Sequence, residues 1–428
     1  TATYPKRKDI MKQNNLRTVF KEGFLDIFYV WGMEMRSVLK DAGVLIFFVL
    51  VPLAYPLVYA FIYTNETVRE VPVVAVDASH SSRSREFLRR VDGTADVHIV
   101  GYAANLEEAK RIMREKGAYG SIYIPEEFND NLMRGEQAYV SIFCDMSGLL
   151  YYKALLSSCT EVSLDMNKDI QVQRLGNTTA RQDEVSTQPI EYTYVTLFNP
   201  QNGFASFLIP AVLMLIIQQT LLLGVGLSVG TQREGNRFRE LVPINRHYHG
   251  TLRIVLGKAL VYLMIYLLVD VYIVCVVPKL FSLVQIPDVG TLTAFMLPYT
   301  LACIFFAMTA SILIRNRETC MLIYVFTSVP LLFISGISWP GASIPAFWKV
   351  FSWIFPSTFG INGFVHINSM GATLGEVAAE YRALWIQTGV YFLTTCLVYR
   401  YQIIRSRKLL LKDLFSPLFN PLAPDNLL

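Results

Sequence analysis

Gly250–Ala259 reads GTLRIVLGKA, with two glycines and a lysine in the order that a phosphate-binding loop uses. A phosphate cradle needs four residues between the glycines, a Ser or Thr after the lysine, and a preceding strand. Here six residues separate the glycines, Ala259 follows Lys258, and no strand precedes them, so nucleotide binding by this motif is excluded. Gly257 and Lys258 read better as the start of a membrane helix, with the lysine snorkelling to the headgroups. Gly224, Gly226 and Gly230 likewise fail the dinucleotide fingerprint and read as small residues that let helices approach closely. His247 and His249 are two apart and would not face one metal from a helix. HExxH and CxxC are absent, so no catalytic residue and no metal site is expected. Asp270 is the one acidic residue well inside an apolar run. Such a carboxylate either contacts a polar substrate or ion, or hydrogen-bonds a neighbouring helix.

The elements that would position these residues are set by composition. Of 428 residues, 53% are hydrophobic and only 17% charged, with a mean hydropathy of +0.37. A soluble domain carries about 25% charged residues to wet its surface. The deficit excludes a purely soluble enzyme, a disordered chain and a collagen-like fibre. A net charge of +4 is too small to imply nucleic acid. Four cysteines (Cys275, Cys303, Cys320, Cys396) fall in apolar runs and read as small core residues. The first apolar run begins only near Val44, too deep for a cleavable signal peptide. Met11 reads as a native start, which would make Thr1–Ile10 an upstream remnant.

A spanning helix needs about 20 apolar residues. Six runs meet or approach that length: Val44–Tyr63, Phe204–Val229, Ile254–Val277, Thr291–Ile314, Cys320–Ser338 and Ala383–Tyr399. Ile344–Phe364 is broken by Pro345, Lys349, Pro356 and Gly360, and reads as a re-entrant hairpin at the outer surface. Short connections on one side hold 21 Lys and Arg residues, among them Lys6, Lys40, Arg233, Arg237, Arg315 and Arg405. The opposite side has only Lys279, Lys349 and Arg382. Basic residues stay in the cytoplasm, so six spans with both termini cytoplasmic are expected.

The long connection between the first two spans then lies outside, with 14 basic and 20 acidic residues. It alternates β-branched runs (Val71–Asp77, Val97–Gly101, Ala118–Ile124, Ala138–Cys144) with helical patterns (Ser81–Val91, Leu106–Lys116, Pro125–Met133). A long helix follows, in which Leu155, Cys159, Val162, Met166 and Ile170 share one face, and polar Gly176–Pro189 reads as a linker. Cys144 and Cys159 are the two cysteines outside, where they could form a disulfide. Before the first span, Phe20, Phe24, Ile27, Phe28, Trp31 and Met35 share a helical face, as in an amphipathic helix lying in the interface.

The expected fold is therefore a polytopic α-helical membrane protein, six transmembrane helices with an inserted extracytoplasmic α/β domain between the first and second. Residues 1–43 form a cytoplasmic N-terminus with its interfacial helix, and 44–63 the first span. Residues 64–203 make the outer α/β domain and linker. Residues 204–402 hold five spans with the hairpin at 344–364, and 403–428 a cytoplasmic basic tail.

This layout resembles the permease subunits of type-2 ABC exporters (the ABC-2 type transporter family), in the drug- and lipid-exporter branch of bacteria with a large extracytoplasmic domain. Five stretches support the resemblance. VAVDASHSSRSREFLRRV (Val74–Val91) is similar to the family's strand, aspartate and serine-led helix. Ala118–Asp145 has Ile124, Pro125, Phe128 and Gly135 at matching places, and Leu197–Pro210 has Asn199, Pro200 and Pro210. REGNRFRELVPINR resembles the cytoplasmic loop at Arg233, Glu234, Gly235, Glu240, Leu241, Pro243 and Arg246. Ser335–Phe364 matches at Gly336, Pro340, Pro345 and Pro356. Asn236 stands where the family usually has threonine, and Ala211 where glycine is common.

The resemblance implies a permease of the bacterial inner membrane, dimerising as a homo- or heterodimer and bound to separate ATPase subunits. No cofactor is expected on this chain, ATP and Mg²⁺ belonging to the partner ATPase. Membrane lipids and a periplasmic adaptor are further partners, and nucleic acid is not. Coupling to the ATPase is placed at Arg233, Glu234, Gly235, Phe238 and Glu240. A path for a hydrophobic or amphipathic substrate is placed between two copies of the second and fifth spans, at Gln218, Gln219, Thr327 and Ser328, with Asp270 of the third span a further candidate. The alternative is a membrane-anchored receptor or docking protein acting through its outer domain.

Overall fold

The computed structural model describes residues 16–63, 67–176, 179–188, 195–199, 203–235, 237–245 and 250–419. The chain divides into two compact units, Thr1–Thr64 with Leu197–Leu428, and Asn65–Thr196. Arg246, His247 and His249 lie outside the described residues.

The first unit opens with α1 (Leu16–Lys40). Its buried face is Val30, Glu34 and Val38, one helical turn apart. Of the stripe expected to lie in the interface, Phe24 and Phe28 are exposed, while Trp31 and Met35 are half-buried against the core. Asp41 ends α1 and begins α2 (Ala42–Ile62), its carboxylate accepting the Gly43 and Val44 amides at 3.1 and 3.3 Å. α2 carries Pro52 and Pro56, and the backbone widens into a π turn at Ile46–Leu50 just before Pro52. Proline lacks the N–H that an α-helix needs four residues back, and a local π turn accommodates the gap.

The inserted unit is a four-stranded sheet in the order β2-β1-β3-β4. The strands are β1 (Val71–Asp77), β2 (Val97–Ala103), β3 (Gly120–Ile124) and β4 (Ser141–Cys144). β1 pairs in parallel with β2 and β3, and β3 in antiparallel with β4. Helices α3 (Ser82–Asp92), α4 (Leu106–Lys116), α5 (Phe128–Arg134) and α6 (Leu149–Leu175) surround the sheet. Central β1 is buried on both faces, so its sequence is nearly all apolar. Val71, Val73 and Ala75 pack in the cluster with Phe87 of α3 and Leu155, Cys159, Val162 and Met166 of α6. Val74 and Val76 face Ala109 of α4. Ser81 and Ser84 form a capping box on α3, and the Ser84 hydroxyl also donates to Asp77 at 2.8 Å, fixing the helix start to the end of β1. Arg90 of α3 pairs with Asp165 and Asp169 of α6 at 2.6 and 2.7 Å. The stretch expected to be a linker contains a short helix, α7 (Ala180–Thr187), begun where the Gln182 side chain accepts the Thr179 amide at 3.1 Å.

The chain returns to the first unit in α8 (Phe204–Glu234). α9 (Gly250–Leu280), α10 (Val289–Leu313) and α11 (Arg317–Ile334) follow, then α12 (Ala346–Ser352), α13 (Pro356–Met370) and α14 (Ala378–Phe419). Among the described residues five helices are long and apolar enough to cross a membrane: α2, α8, α9, α10 and α11. The expected sixth span, Ala383–Tyr399, lies within the 42-residue α14, which is not one of those five.

α8 is the hub of this unit, with 94% of its most apolar window buried. It packs on α2, α10, α11 and α13. Its glycines make this closeness feasible. A methyl on Gly224 would meet the Phe48 ring of α2 at 2.6 Å, and one on Gly226 the Cys320 sulfur of α11 at 2.4 Å. α9 repeats the device of α2, a π turn at Tyr272–Val276 just before Pro278. The Val274 carbonyl that Pro278 leaves without its helical donor takes the Gln285 side-chain amide at 2.8 Å. The proline-broken segment after α11 forms two short helices, α12 and α13, separated at Trp353–Phe355. Phe347, Trp348 and Phe351 of α12 form an exposed aromatic cluster with centroids 5.4–6.5 Å apart.

Candidate functional site

The α8–α9 connection, expected to couple to a partner, continues α8 through Gly235 into a 3-10 turn at Arg237–Leu241 and one helical turn at Val242–Asn245. Its residues named as coupling candidates, with Arg237, divide into two sets. Gly235, Arg237 and Glu240 are exposed. Arg233 and Glu234 are used within the subunit. The Arg233 guanidinium donates to the Ile314 carbonyl at the end of α10. The Glu234 carboxylate, although exposed, accepts the Arg317 amide at 3.0 Å and so caps the start of α11. Asp41 tightens the same corner, accepting from the Arg317 guanidinium at 2.9 Å and from the Thr231 hydroxyl at 3.0 Å. Burial raises the Asp41 pKa, but these bonds outweigh it and hold the carboxyl below its ordinary range.

Phe238 is buried, its ring 6.2 Å from that of Tyr399 on α14. Beneath it lies the most polar node of the unit. Lys258, expected to snorkel to the headgroups, is fully buried. Its ammonium lies 2.7 Å from the Glu34 carboxylate of α1 and 2.7 Å from the Gln232 carbonyl oxygen of α8. The same ammonium stands over the Phe238 and Tyr399 rings at 5.9 and 5.6 Å. Glu34 also accepts from the Tyr262 hydroxyl at 2.5 Å, the Gln232 amide at 2.9 Å and the Ser228 hydroxyl at 3.1 Å. An isolated ammonium at this depth would be costly, and a carboxylate with further donors repays that cost. Burial pushes the Glu34 pKa up, but Lys258, Tyr262 and Gln232 together hold it below its ordinary value. Sequence reasoning missed this pair. Its signal was two lone opposite charges in otherwise apolar stretches, Glu34 within YVWGMEM and Lys258 within VLGKALV.

Between α1 and the 3-10 turn lies a groove of about 640 Å³, with Glu34 and Gln232 among its lining residues. Arg36, Lys40 and Arg237 supply positive charge, Glu240 one acid, and Tyr29 and Met33 an apolar surface. The groove can take a charged segment of another protein, and whatever fills it stands against the buried node.

The residues expected along a transport path do not share this place. Gln218 and Gln219 are buried inside the single subunit, because α8 is enclosed by its neighbours. The Gln218 side chain accepts the Ser357 amide at 2.6 Å, capping α13, while neither amide atom of Gln219 has a partner among the described residues. Thr327 donates to the Ile323 carbonyl of its own helix at 2.8 Å, and Ser328 is half-buried on α11. Asp270 accepts the Thr300 hydroxyl of α10 at 2.5 Å, and its other oxygen has no partner among the described residues. Asp270→Asn keeps an acceptor for Thr300 and should change stability by less than about 1 kcal/mol. Asp270→Leu leaves that hydroxyl unpaired and should cost about 1–3 kcal/mol. Thermal midpoints in lipid nanodiscs check this, and equal midpoints for both variants would show that the bond contributes nothing.

Cys144 and Cys159, the two cysteines expected outside, where they could form a disulfide, are free thiols in this structure. Burial pushes the Cys159 thiol up to about 12, which makes it unreactive.

Compared with curated proteins one by one, the chain finds no match. The family model described as "ABC-2 family transporter protein" matches residues 42–397, from the start of α2 to about the middle of α14. The matched length takes in all five apolar helices, the inserted unit and the α8–α9 connection, and on that ground the chain belongs to the ABC-2 family of transporter proteins, as a multi-pass membrane component that partners with ABC ATPase subunits.

Proposed function

We propose that this chain is the permease subunit of an ATP-driven exporter, dimerising in a bacterial inner membrane to pass a hydrophobic or amphipathic substrate. In this reading α14 supplies a sixth span, both termini and the α8–α9 connection are cytoplasmic, and the inserted α/β unit is outside. α12 and α13 enter the outer leaflet and return. The exposed aromatic cluster of α12 supports that placement, since aromatic side chains favour the membrane interface.

One observation supports the coupling role above the others. The groove between α1 and the 3-10 turn opens beside the Glu34–Lys258 node, which is bonded to α8 and α9 and packed on α14. A docked ATPase segment that moves α1 therefore acts on three membrane elements through one ion pair. Gly235, Arg237 and Glu240 supply the docking face, while Arg233, Glu234 and Phe238 transmit its displacement to α10, α11 and α14.

The test is the charge reversal Arg36→Glu with Arg237→Glu. Both residues line the groove, and no ion pair joins either to a carboxylate among the described residues. The permease should remain folded and inserted, while ATPase recovered on an affinity-tagged permease falls at least about tenfold, equivalent to about 1.4 kcal/mol. Unchanged recovery would place docking elsewhere.

A further inference from the structure

The inserted unit contains a second cavity, between α5, the chain leading into β4, and α6, with a volume of about 260 Å³. Its floor is Phe87, Phe128, Cys159 and Met166, all buried. The rim is uncharged, with Thr160 and Ser163 exposed on α6. No Asp, Glu, Lys or Arg lines it. Drug-sized ligands occupy about 300–1,000 Å³, so this space is too small for one. At about 30 Å³ for a water-sized group it holds roughly nine such groups, the bulk of one alkyl chain. A charge stands beside it. The exposed Arg174 guanidinium donates at 2.7 Å to the carbonyl of Leu132, a lining residue, and lies one helical turn beyond Ile170, another lining residue. Arg174 has no carboxylate partner among the described residues.

From the apolar slot and the adjoining cation we infer that this unit holds a single-chain anionic amphiphile, its tail against Phe128 and Met166 and its head at Arg174. The volume admits one chain, and the sign of the charge selects a carboxylate or similar head over an amine. The inference concerns binding by the inserted unit alone, so it does not rest on the transport reading, and its test measures no transport.

The test uses the full-length chain in phosphatidylcholine nanodiscs and dodecanoate bearing a terminal diazirine. After illumination, mass spectrometry should find adducts on peptides carrying Phe128, Leu132 or Met166. Unlabelled dodecanoate should suppress these adducts at least tenfold more effectively than dodecylamine. Ser163→Trp with Ala138→Trp, which fills the slot, should reduce them at least tenfold. Arg174→Glu changes only an exposed side chain and should reverse the preference, making dodecylamine the better competitor. Adducts confined to other peptides, or a preference unchanged in Arg174→Glu, would overturn the assignment. Competition by phosphatidylglycerol vesicles but not by dodecanoate would overturn the single-chain ligand in favour of a two-chain lipid.

Discussion

Lys258→Ala should be among the most damaging single substitutions in the membrane unit, costing about 3–5 kcal/mol. The loss is large because the change leaves Glu34, 1% exposed, as a buried carboxylate without its cation. It also strips the cation from the faces of Phe238 and Tyr399. Replacing both partners behaves differently, since two apolar or neutral groups of similar volume avoid the desolvation cost. Glu34→Gln with Lys258→Met should therefore recover most of the stability lost in Lys258→Ala. The measurement is the thermal midpoint of the monodisperse protein in nanodiscs, with the yield of inserted protein beside it. Lys258→Ala melting with the wild type would mean that the pair is not buried as described.

The same pair fixes a pH dependence. The Glu34 pKa is depressed in the folded protein, so its contribution is complete above the ordinary value of 4.5 and is lost as pH falls through the lower folded value. Wild-type protein should thus lose stability below about pH 4.5, and the neutral double variant should lose less over that range.

A second large effect is expected where α1 crosses α9. A methyl on Gly257 would lie 2.8 Å from the Ile27 carbonyl oxygen and 2.8 Å from the Val30 side chain. The carbonyl belongs to a helix backbone and cannot give way alone, so Gly257→Val must push the whole of α1 outward. Overpacking of this kind costs about 1–3 kcal/mol. Displacement also separates Arg253 from Asp26, now 2.6 Å apart, and loosens the Glu34 node. Trypsin should then cut Gly257→Val faster at Arg36 and Lys40, and the ATPase activity of the partner subunits assembled with it should no longer respond to substrate. Gly32→Ala is the control, because nothing lies within 4 Å of its added methyl. That variant should be neutral or more stable by up to about 1 kcal/mol. Equal trypsin rates for Gly257→Val and Gly32→Ala would show that α1 does not rest on α9.

The apolar runs and the alternation of the inserted unit were plain in one dimension, because burial on a helix or a strand imposes a period on the residues themselves. Val71–Asp77 and Leu106–Lys116 fold over the residues their patterns predict. What escaped were relations between distant residues. Lys258 looked like a headgroup lysine because its partner lies 224 residues away on α1. The partner of Gln218 is as hard to foresee, being the Ser357 amide 139 residues downstream. The segment Gly176–Pro189 looked structureless because its short helix is set by one side chain, Gln182, rather than by an apolar stripe. In the α8–α9 connection the sequence shows which residues are charged but not which of them are used within the subunit, since that depends on Arg317 and Tyr399 reaching them from other helices.

The enclosure of α8 also dictates an order of assembly. Of the helices packed on it only α2 precedes it in the chain, while α10, α11 and α13 follow, so α8 must enter the bilayer before most of its cover exists. The Ser357 amide that Gln218 accepts is 139 residues downstream. At a synthesis rate of about 5–20 residues per second, that interval is roughly 7–28 seconds. For that time the Gln218 side chain faces lipid, the insertion machinery or trapped water, and the newborn helix is at its most vulnerable to quality-control proteases. A chain truncated anywhere before Ser357 never leaves that condition.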